Sequence, residues 1–259
     1  LIDSGATHLS ARDIDQAAQR VTDQPIRWVI NTGGQDHRWL GNSHFQTQGA
    51  ELIAHASAVP DMQARAGDQM QALGGLLGPR FAETRPVYPA RLVSTPDSRL
   101  ELGGLGFELR HRGGAHTPGD WLVWIPDRDV VFTGDVVYVD RLLSVLPVSN
   151  TRQWLETFGV LETLKPKWLV PGHGRVTALA TAQRQVHVER EQLLGRVQRN
   201  MDDGVEGIAV GSDDFGNLFV HGRDRVHRVF LKFTKWRSRS PRNDIRLAAA
   251  ATPIEDRLH

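Results

Sequence analysis

Three short turns in this chain carry side chains that could hold a divalent metal ion. His116, Asp135 and His173 each stand just after an apolar segment, in a turn rich in glycine and proline. Turns of this composition end β-strands, so the three side chains could converge on one point in the folded chain. Imidazole and carboxylate groups that hold a divalent ion with one open position lower the pKa of its bound water to about 7. The hydroxide formed in this way attacks carbonyl or phosphoryl centres.

A fourth polar loop, at residues 31–37, stands upstream and ends in the dipeptide Asp36-His37. Like the other three turns it follows an apolar segment, so its side chains are expected near the same point. Two interpretations of its glycine pair stay open. Gly33 and Gly34 could permit a tight turn, since glycine adopts backbone conformations that other residues avoid. They could also present backbone N–H groups to an anion such as phosphate.

Apolar residues recur at intervals that predict the elements needed to position these loops. Helical spacing is found at residues 11–22, 58–73, 151–164, 176–202 and 224–236. Short apolar runs bounded by turn residues predict strands at residues 26–30, 51–54, 100–102, 107–109, 121–125, 130–132 and 168–170. Mixed strands and helices with polar loops at the strand ends indicate an α/β layered domain.

The composition is that of an ordinary globular protein, and it narrows the kinds of metal site that are open to the chain. Of the 259 residues, 40% are hydrophobic and 24% are charged, and no apolar run is long enough to span a membrane. The chain has no cysteine, which excludes disulfides and thiolate metal sites. Any metal ion must therefore bind to histidine, aspartate or glutamate. A cysteine-free chain suits the cytoplasm and the periplasm equally, so the compartment stays open.

Basic residues are concentrated near the C-terminus, although the formal net charge of the whole chain is only +1. Residues 221–246 contain nine Arg or Lys and two Asp, a net charge of +7. Such segments can bind nucleic acid, but a solvated surface followed by a loose tail is the simpler interpretation, so nucleic-acid binding is not expected. Residues 237–259 are basic and rich in alanine, and they are predicted to be a weakly ordered tail.

The first five residues have the pattern of a strand that runs into a turn, so the chain opens inside a structural element. Its first residue is Leu1 rather than methionine. We therefore expect N-terminal strands to be missing from this sequence, and a signal peptide could have been lost with them.

Taken together, these turns resemble the metallo-β-lactamase superfamily of metal-dependent hydrolases. The similarity runs from Leu1 to about Trp236. His116, Asp135 and His173 fall at the superfamily's third-histidine, bridging-aspartate and last-histidine positions. The resemblance implies an αββα sandwich, in which two mixed β-sheets lie face to face with helices outside and the site at one edge. It also implies one metallo-β-lactamase-like domain, over residues 1–236.

The loop at residues 31–37 departs from the superfamily pattern, which has two histidines, a spacer and then Asp-His. Thr32 and Gly34, or Gly33 and Gln35, stand where the two histidines would be. Neither pair can replace two imidazoles, so the first metal site of the superfamily has lost most of its ligands. This site is expected to be empty or weak.

Two alignments of the rest of this loop are open. In the first, Asp36 and His37 match the superfamily's Asp-His and complete a second metal site with Asp135 and His173. In the second, His37 and Arg38 take those two slots, and Arg38 directs a positive charge at the metal position. We prefer the first alignment because the Asp-His dipeptide survives in the expected loop.

By this resemblance the protein is expected to be a metallo-hydrolase that attacks an ester, thioester, amide or phosphodiester of a small molecule with water. One Zn²⁺ is expected rather than two. His116 would be a leftover first-site ligand or a contact of the attacking water. The expected metal ligands are Asp36, His37, His116, Asp135 and His173. The expected catalytic residues are Asp36, His116 and Asp135, and the substrate-binding candidates are Gly33, Gly34 and Arg38.

The lost histidine pair also supports a second hypothesis, in which the protein is impaired in catalysis or free of metal. Such a member of the superfamily would bind a ligand or a partner without turnover. Both hypotheses leave the substrate, the number of bound ions and the oligomeric state open.

Overall fold

The computed structural model describes residues 1–141 and 143–184, together with the backbone of three strands further along the chain. The chain divides into two units, Leu1–Leu194 and Gly195–His259. Every residue predicted to belong to the site lies in the first unit. The prediction of one domain over residues 1–236 remains a prediction.

The smaller sheet of the first unit has three strands, β1 (Trp28–Ile30), β2 (Glu51–His55) and β3 (Arg91–Val93). All three run parallel, because helices rather than hairpins connect them. Ahead of β1, Ile2 forms an isolated parallel bridge with Ile30, which ties the start of the chain to this sheet.

The larger sheet has five strands, which follow one another in the order of the sequence. They are β4 (Asp97–Leu102), β5 (Leu105–Arg110), β6 (Leu122–Ile125), β7 (Val130–Phe132) and β8 (Trp168–Val170). Neighbours are antiparallel as far as β7, whereas β7 and β8 are parallel. The larger sheet is therefore mixed, as expected, while the smaller sheet is parallel throughout.

Helices cover both sheets from the outside. The complete helices among the described residues are α1 (His8–Gln19), α2 (Asp36–Trp39), α3 (Asn42–Thr47), α4 (Ala58–Leu77) and α5 (Thr151–Leu164). Residues of α1, α3 and α4 pack on the smaller sheet, and α5 packs on the larger one. The layers are therefore helix, sheet, sheet, helix.

Alternate residues of each strand point to opposite layers, and this alternation builds the core. The core between the two sheets contains Ile30, Ile53, Leu100, Leu102, Leu109, Trp121 and Val123. The sequence neighbours Val29 and Leu52 point the other way and pack with Ala11 of α1 and Phe45 of α3.

Helix α5 is the crossover that makes β7 and β8 parallel neighbours. It begins after Asn150, whose side chain accepts a hydrogen bond from the backbone N–H of Gln153 at 3.1 Å. Trp154, Phe158 and Leu161 follow at helical spacing and are buried against the larger sheet. The predicted helix at residues 151–164 and the predicted strand at residues 168–170 are both confirmed.

The second unit contains an antiparallel sheet of β9 (Ala209–Ser212), β10 (Leu218–Gly222) and β11 (Arg225–Val229). The predicted helix at residues 224–236 is therefore wrong at residues 225–229. A short apolar run fits either structure by periodicity alone, and here the pairing with β10 decides. Residues 230–236 and the predicted tail at 237–259 lie outside the described residues.

A long helix was predicted at residues 176–202, and the structure shows a helix at residues 179–184 of this range. Thr177, at its start, instead forms an antiparallel bridge with Leu169, and residues 185–202 lie outside the described part of the chain. No helix among the described residues is long and apolar enough to cross a membrane.

Candidate metal centre

Asp135 stands at one edge of the larger sheet, in the 3-10 turn Gly134–Val136 after β7. Because β7 and β8 are parallel neighbours, the turns that follow them meet at this edge. His173, after β8, lies with its Nε2 3.2 Å from Asp135 Oδ1, and His37 of α2 lies with its Nε2 3.3 Å from Asp135 Oδ2. The ligand atoms of these three side chains lie within 4.8 Å of one another, so they could hold a metal ion. We call His37, Asp135 and His173 the Asp135 centre.

Asp36 contacts His37 rather than Asp135. Its Oδ1 accepts a hydrogen bond from the backbone N–H of His37 at 2.7 Å and lies 2.9 Å from His37 Nδ1. A carboxylate on the far nitrogen is the usual means of orienting a histidine that binds a metal ion. The structure therefore places Asp36 behind His37, and its predicted role as a ligand remains a prediction.

Arg38 reaches Asp135 as well. One end of its buried guanidinium donates from Nη2 to Asp135 Oδ1, and the other lies with Nη1 3.2 Å from Asp3 Oδ2. The structure thus brings both His37 and Arg38 to Asp135. This is the arrangement expected from the alignment that assigns these two residues to the Asp-His slots.

His116 is buried beside the centre at a longer distance. Its Nε2 lies 4.0 Å from Asp135 Oδ2. Its Nδ1 lies 2.7 Å from the backbone carbonyl of Ser144, to which it can donate a hydrogen bond. That bond assigns the proton to Nδ1 and leaves a lone pair on the Nε2 that faces Asp135.

The charges around Asp135 shift the pKa values of its neighbours. Burial by itself would raise the pKa of Asp135, but the charges of Arg38 and His37 hold it well below its usual range. Burial would lower the pKa of His37, but the charge of Asp135 outweighs it and raises the pKa to about 9. Burial lowers the pKa of His116 and of His173. The centre therefore combines an ionised Asp135 and a protonated His37 with a neutral His173, and a neutral His116 lies beside it.

Two buried atoms of the centre have no hydrogen-bond partner, His37 Nε2 and Asp135 Oδ2. They face each other at 3.3 Å. While His37 is protonated the two atoms form an ion pair, and a divalent cation that took the place of the proton would bind both of them. A metal ligand must be deprotonated, so an ion that binds here would displace the proton of His37. With Asp36 orienting the imidazole, these residues fit a metal ion.

The glycines of the upstream loop adjoin a different cluster, which we call the Asp120 cluster: Gly33, Gly34, Thr117 and Asp120. Gly34 N–H donates to Thr117 Oγ1 at 3.0 Å. Thr117 in turn donates from its hydroxyl to Asp120 Oδ1 at 2.5 Å and from its N–H to Oδ2 at 2.7 Å. A Cβ on Gly33 would collide with Asp120 Oδ1. The space that a larger side chain would need at position 33 is therefore filled.

The other side of Gly34 is closed by helix α4. A Cβ on Gly34 would collide with Asp61 Oδ2. Arg65 donates to Gly34 O at 3.1 Å and to Gln35 Oε1 at 3.0 Å, and it pairs with Asp61. Since the Gly34 N–H is already used by Thr117, an anion would have to break that bond to reach it. These contacts argue against the anion-binding interpretation. Neither glycine has a positive φ, so the close approach of Asp120 and Asp61 explains the glycines here, and not a backbone conformation that other residues avoid. Their predicted role in substrate binding remains a prediction.

Sequence reasoning missed three charged residues of this region, Asp3, Asp61 and Arg65. Asp61 and Arg65 stand four residues apart on α4, a spacing that favours an ion pair and was available as a signal. Asp3 lies in the predicted opening strand and turn. Nothing in its local pattern indicates a contact with Arg38.

Known families and structures are similar to this chain over most of its described length. A family model described as the metallo-beta-lactamase superfamily matches residues 1–173 of the 259. A metallo-beta-lactamase from Pontibacter korlensis has a TM-score of 0.60 and 19% identity, over 73% of this chain and 81% of that one. A structure of DIM-1 metallo-beta-lactamase exposed to ceftazidime has a TM-score of 0.58 and 16% identity, over 74% and 79%. The structure of TMB-1 has a TM-score of 0.58 and 15% identity, over 74% and 79%.

At these identities the likeness to the solved structures shows the fold. With the two sheets and their flanking helices, it confirms the predicted sandwich architecture.

Proposed function

This chain belongs to the metallo-beta-lactamase superfamily, and on that premise we propose that it is a hydrolase that depends on one divalent metal ion at the Asp135 centre. The observation that carries the proposal is that His37 Nε2 and Asp135 Oδ2 are buried 3.3 Å apart as an ion pair and that neither atom makes a hydrogen bond. Such atoms are rare inside proteins, and one cation accounts for both.

We propose Zn²⁺ as the ion, held by His37, Asp135 and His173. Two imidazoles and one carboxylate form a ligand set that zinc accepts with one position left open. Bound there, the ion supplies a water whose pKa is lowered to about 7. Arg38 supports this use of Asp135, because its charge helps to keep the carboxylate ionised.

His116 is the proposed acceptor of the proton that the attacking water loses. Its Nε2 faces Asp135 Oδ2 at 4.0 Å, and its Nδ1 is held by a backbone carbonyl. Because burial lowers its pKa, this imidazole is neutral and can act as a base. On the other side of the centre, Asp36 holds Nδ1 of His37, which keeps Nε2 directed at Asp135.

The proposed substrate is a small molecule with an ester, thioester, amide or phosphodiester bond. A water of lowered pKa attacks carbonyl and phosphoryl centres alike, so the centre accommodates all four classes. The fold does not choose among them, because one fold hosts many reactions.

Metal analysis of protein purified without chelator, followed by a substrate panel, tests the proposal. We expect about one zinc ion per chain, since one complete ligand set is present. Added Zn²⁺ should raise the Tm, and one of a chromogenic ester, thioester, phosphodiester or β-lactam should be hydrolysed. Asp135→Asn is the matched control, because it preserves size and removes the charge, and it should lose both metal and turnover. Fewer than about 0.1 ion per chain, together with no gain in Tm on adding Zn²⁺, would contradict the proposal.

One observation favours a second candidate, a protein that binds a ligand or partner without turnover. Arg38 donates to Asp135 Oδ1 within the centre, and its guanidinium already supplies positive charge that a metal ion would bring. Calorimetric titration with Zn²⁺ separates the two candidates. Absence of binding heat, with an unchanged Tm, would favour the second.

A further inference from the structure

Arg38 is a charged side chain held inside the protein by two carboxylates. Only 9% of it is exposed. Its Nη1 lies 3.2 Å from Asp3 Oδ2, near the start of the chain, and its Nη2 donates to Asp135 Oδ1, after β7. A buried guanidinium is costly unless it is paired, so both carboxylates help to keep Arg38 inside.

The surroundings fix this guanidinium in place. Asp3 accepts hydrogen bonds from the backbone N–H of Thr32 at 2.7 Å and from its hydroxyl at 2.8 Å. Gly172 leaves room for the side chain, because a Cβ there would lie 2.5 Å from Arg38 Nη2. The backbone carbonyl of Arg38 accepts a hydrogen bond from the backbone N–H of Ser4 at 3.0 Å. Arg38 therefore occupies a shaped socket, unlike a surface arginine with a single ion pair.

The two oxygens of Asp135 face different groups. Oδ1 accepts from Arg38 and lies 3.2 Å from His173 Nε2. Oδ2 faces His37 Nε2 at 3.3 Å and His116 Nε2 at 4.0 Å, and it has no hydrogen-bond partner. Arg38 thus satisfies one oxygen with a permanent charge and leaves the other for a cation.

We propose that Arg38 is a positioning residue that acts as a built-in cation at the Asp135 centre. It offsets part of the negative charge of the buried carboxylates of Asp3 and Asp135, so the centre folds before any metal ion is bound. Its hold on Oδ1 also limits the centre to one divalent ion. The first part stands without metal chemistry, whereas the second rests on the proposed function.

Thermal unfolding of the full chain in EDTA and in Zn²⁺ tests this with Arg38→Met, which keeps an unbranched stem and loses the charge. We expect the Tm in EDTA to fall by about 10 °C, because one partner of a buried ion pair is removed. The gain in Tm on adding Zn²⁺ should be larger in Arg38→Met than in the wild type, since both carboxylates have then lost the positive charge of Arg38. An unchanged Tm in EDTA would overturn the proposal, and so would an equal, non-zero gain with Zn²⁺ in the two proteins.

Arg110→Met is the matched control. Arg110 also bridges two carboxylates, Asp97 at 3.0 Å and Glu108 at 2.5 Å, but it lies on the larger sheet and is more exposed. We expect its Tm in EDTA to fall by about 2 °C or less, because exposed ion pairs contribute little. Its gain with Zn²⁺ should equal that of the wild type. A fall as large as that of Arg38→Met would overturn the proposal.

If Arg38→Met does not fold, the triple variant Arg38→Met/Asp3→Asn/Asp135→Asn decides. It removes the charge of the guanidinium together with the charges of both carboxylates, so it should fold if Arg38 serves to balance them. A triple variant that also fails to fold would overturn the proposal. Failure of the proposed function looks different: neither the wild type nor Arg38→Met then gains Tm with Zn²⁺. A lower Tm of Arg38→Met in EDTA would still support Arg38 as the built-in cation.

Discussion

The Asp120 cluster and the Asp135 centre both bury a carboxylate near the ends of strands, yet they use their polar atoms differently. In the Asp120 cluster, the Gly34 N–H donates a hydrogen bond to Thr117 Oγ1, and Thr117 donates hydrogen bonds to both oxygens of Asp120. In the Asp135 centre, one carboxylate oxygen and one imidazole nitrogen have no hydrogen-bond partner.

This difference separates a structural acid from a binding acid. Both side chains are almost fully buried, so burial does not distinguish them. They differ in their hydrogen bonds: a cation would have to break those of Asp120 in order to bind it, whereas Asp135 Oδ2 accepts none. Gly33 and Gly34 belong to the Asp120 cluster, in which the hydrogen bonds are complete. His37 belongs to the Asp135 centre, in which they are not.

The largest expected effect is that of Asp135→Ala. Without the carboxylate, the buried charge of Arg38 loses one of its two partners, so the free energy of unfolding in EDTA should fall by about 3–5 kcal/mol. Metal content should fall to background. Urea unfolding and metal analysis by mass spectrometry measure the two effects. A variant that kept its metal would remove Asp135 from the ligand set.

The pH dependence of stability should separate the two carboxylates further. Burial, helped by the charge of Asp135, raises the pKa of Asp120 from 3.8 to about 7. Between these values the folded protein keeps a proton on Asp120 that the unfolded chain releases. The free energy of unfolding should therefore fall as pH rises, by about 1.4 kcal/mol per pH unit from this group.

Asp120→Asn should remove this slope, which urea unfolding in EDTA at several pH values between 4 and 7 would reveal. The ionisation of Asp135 should change the free energy of unfolding with pH in the opposite direction. Its pKa is held well below 3.8, so its contribution is present at neutral pH and is lost only as pH falls through that lowered value. Parallel pH curves for Asp120→Asn and the wild type would contradict the difference between the two acids.

Gly33→Ala tests whether the Asp120 cluster has space for one more methyl group. The added methyl group would collide with Asp120 Oδ1, so we expect a loss of about 1–3 kcal/mol in the free energy of unfolding. Gly67→Ala in α4 is the control, because a Cβ there meets no atom within 4 Å, and it should stabilise the protein slightly. Neither variant should change zinc affinity. Wild-type stability in Gly33→Ala would mean that the region can open.

The smallest expected effect is that of Asp36→Asn on metal affinity. The carboxylate orients His37 through Nδ1, and losing such support weakens metal binding by about tenfold or somewhat more. Competition with a chromophoric chelator measures the affinity for zinc. Asp61→Asn, which changes an acid beside the other cluster, should leave it unchanged. An equal loss in both variants would argue for a general charge effect.

Local signals in the sequence were enough to predict three of the four polar turns. Asp135 and His173 each follow an apolar run and lie among turn residues, and strand ends are defined by such neighbours, whereas His116 lies six residues beyond the end of β5 in a loop rich in glycine. Helix α5 was equally predictable, since its apolar stripe and its capping residue Asn150 are both local.

Local signals could not show which residue at the end of the fourth loop, residues 31–37, contacts Asp135. Successive residues of a helix point about 100° apart, so Asp36, His37 and Arg38 face three directions. Which of them meets Asp135 depends on how α2 docks, and this is set by contacts with distant segments. The same reason hid Asp3, whose partner stands 35 residues away. Strand β11 was mistaken for a helix because its pairing, rather than its periodicity, fixes its conformation.

The ion pair between Arg38 and Asp135 joins residues that are 97 positions apart. It can form only when α2 and the turn after β7 have come together, and contacts of such long sequence separation are slow to form. If they are absent from the folding transition state, Arg38→Met accelerates unfolding and leaves the folding rate almost unchanged. The Asp135 centre would then govern how long the native state lasts, with little influence on how fast the chain reaches it.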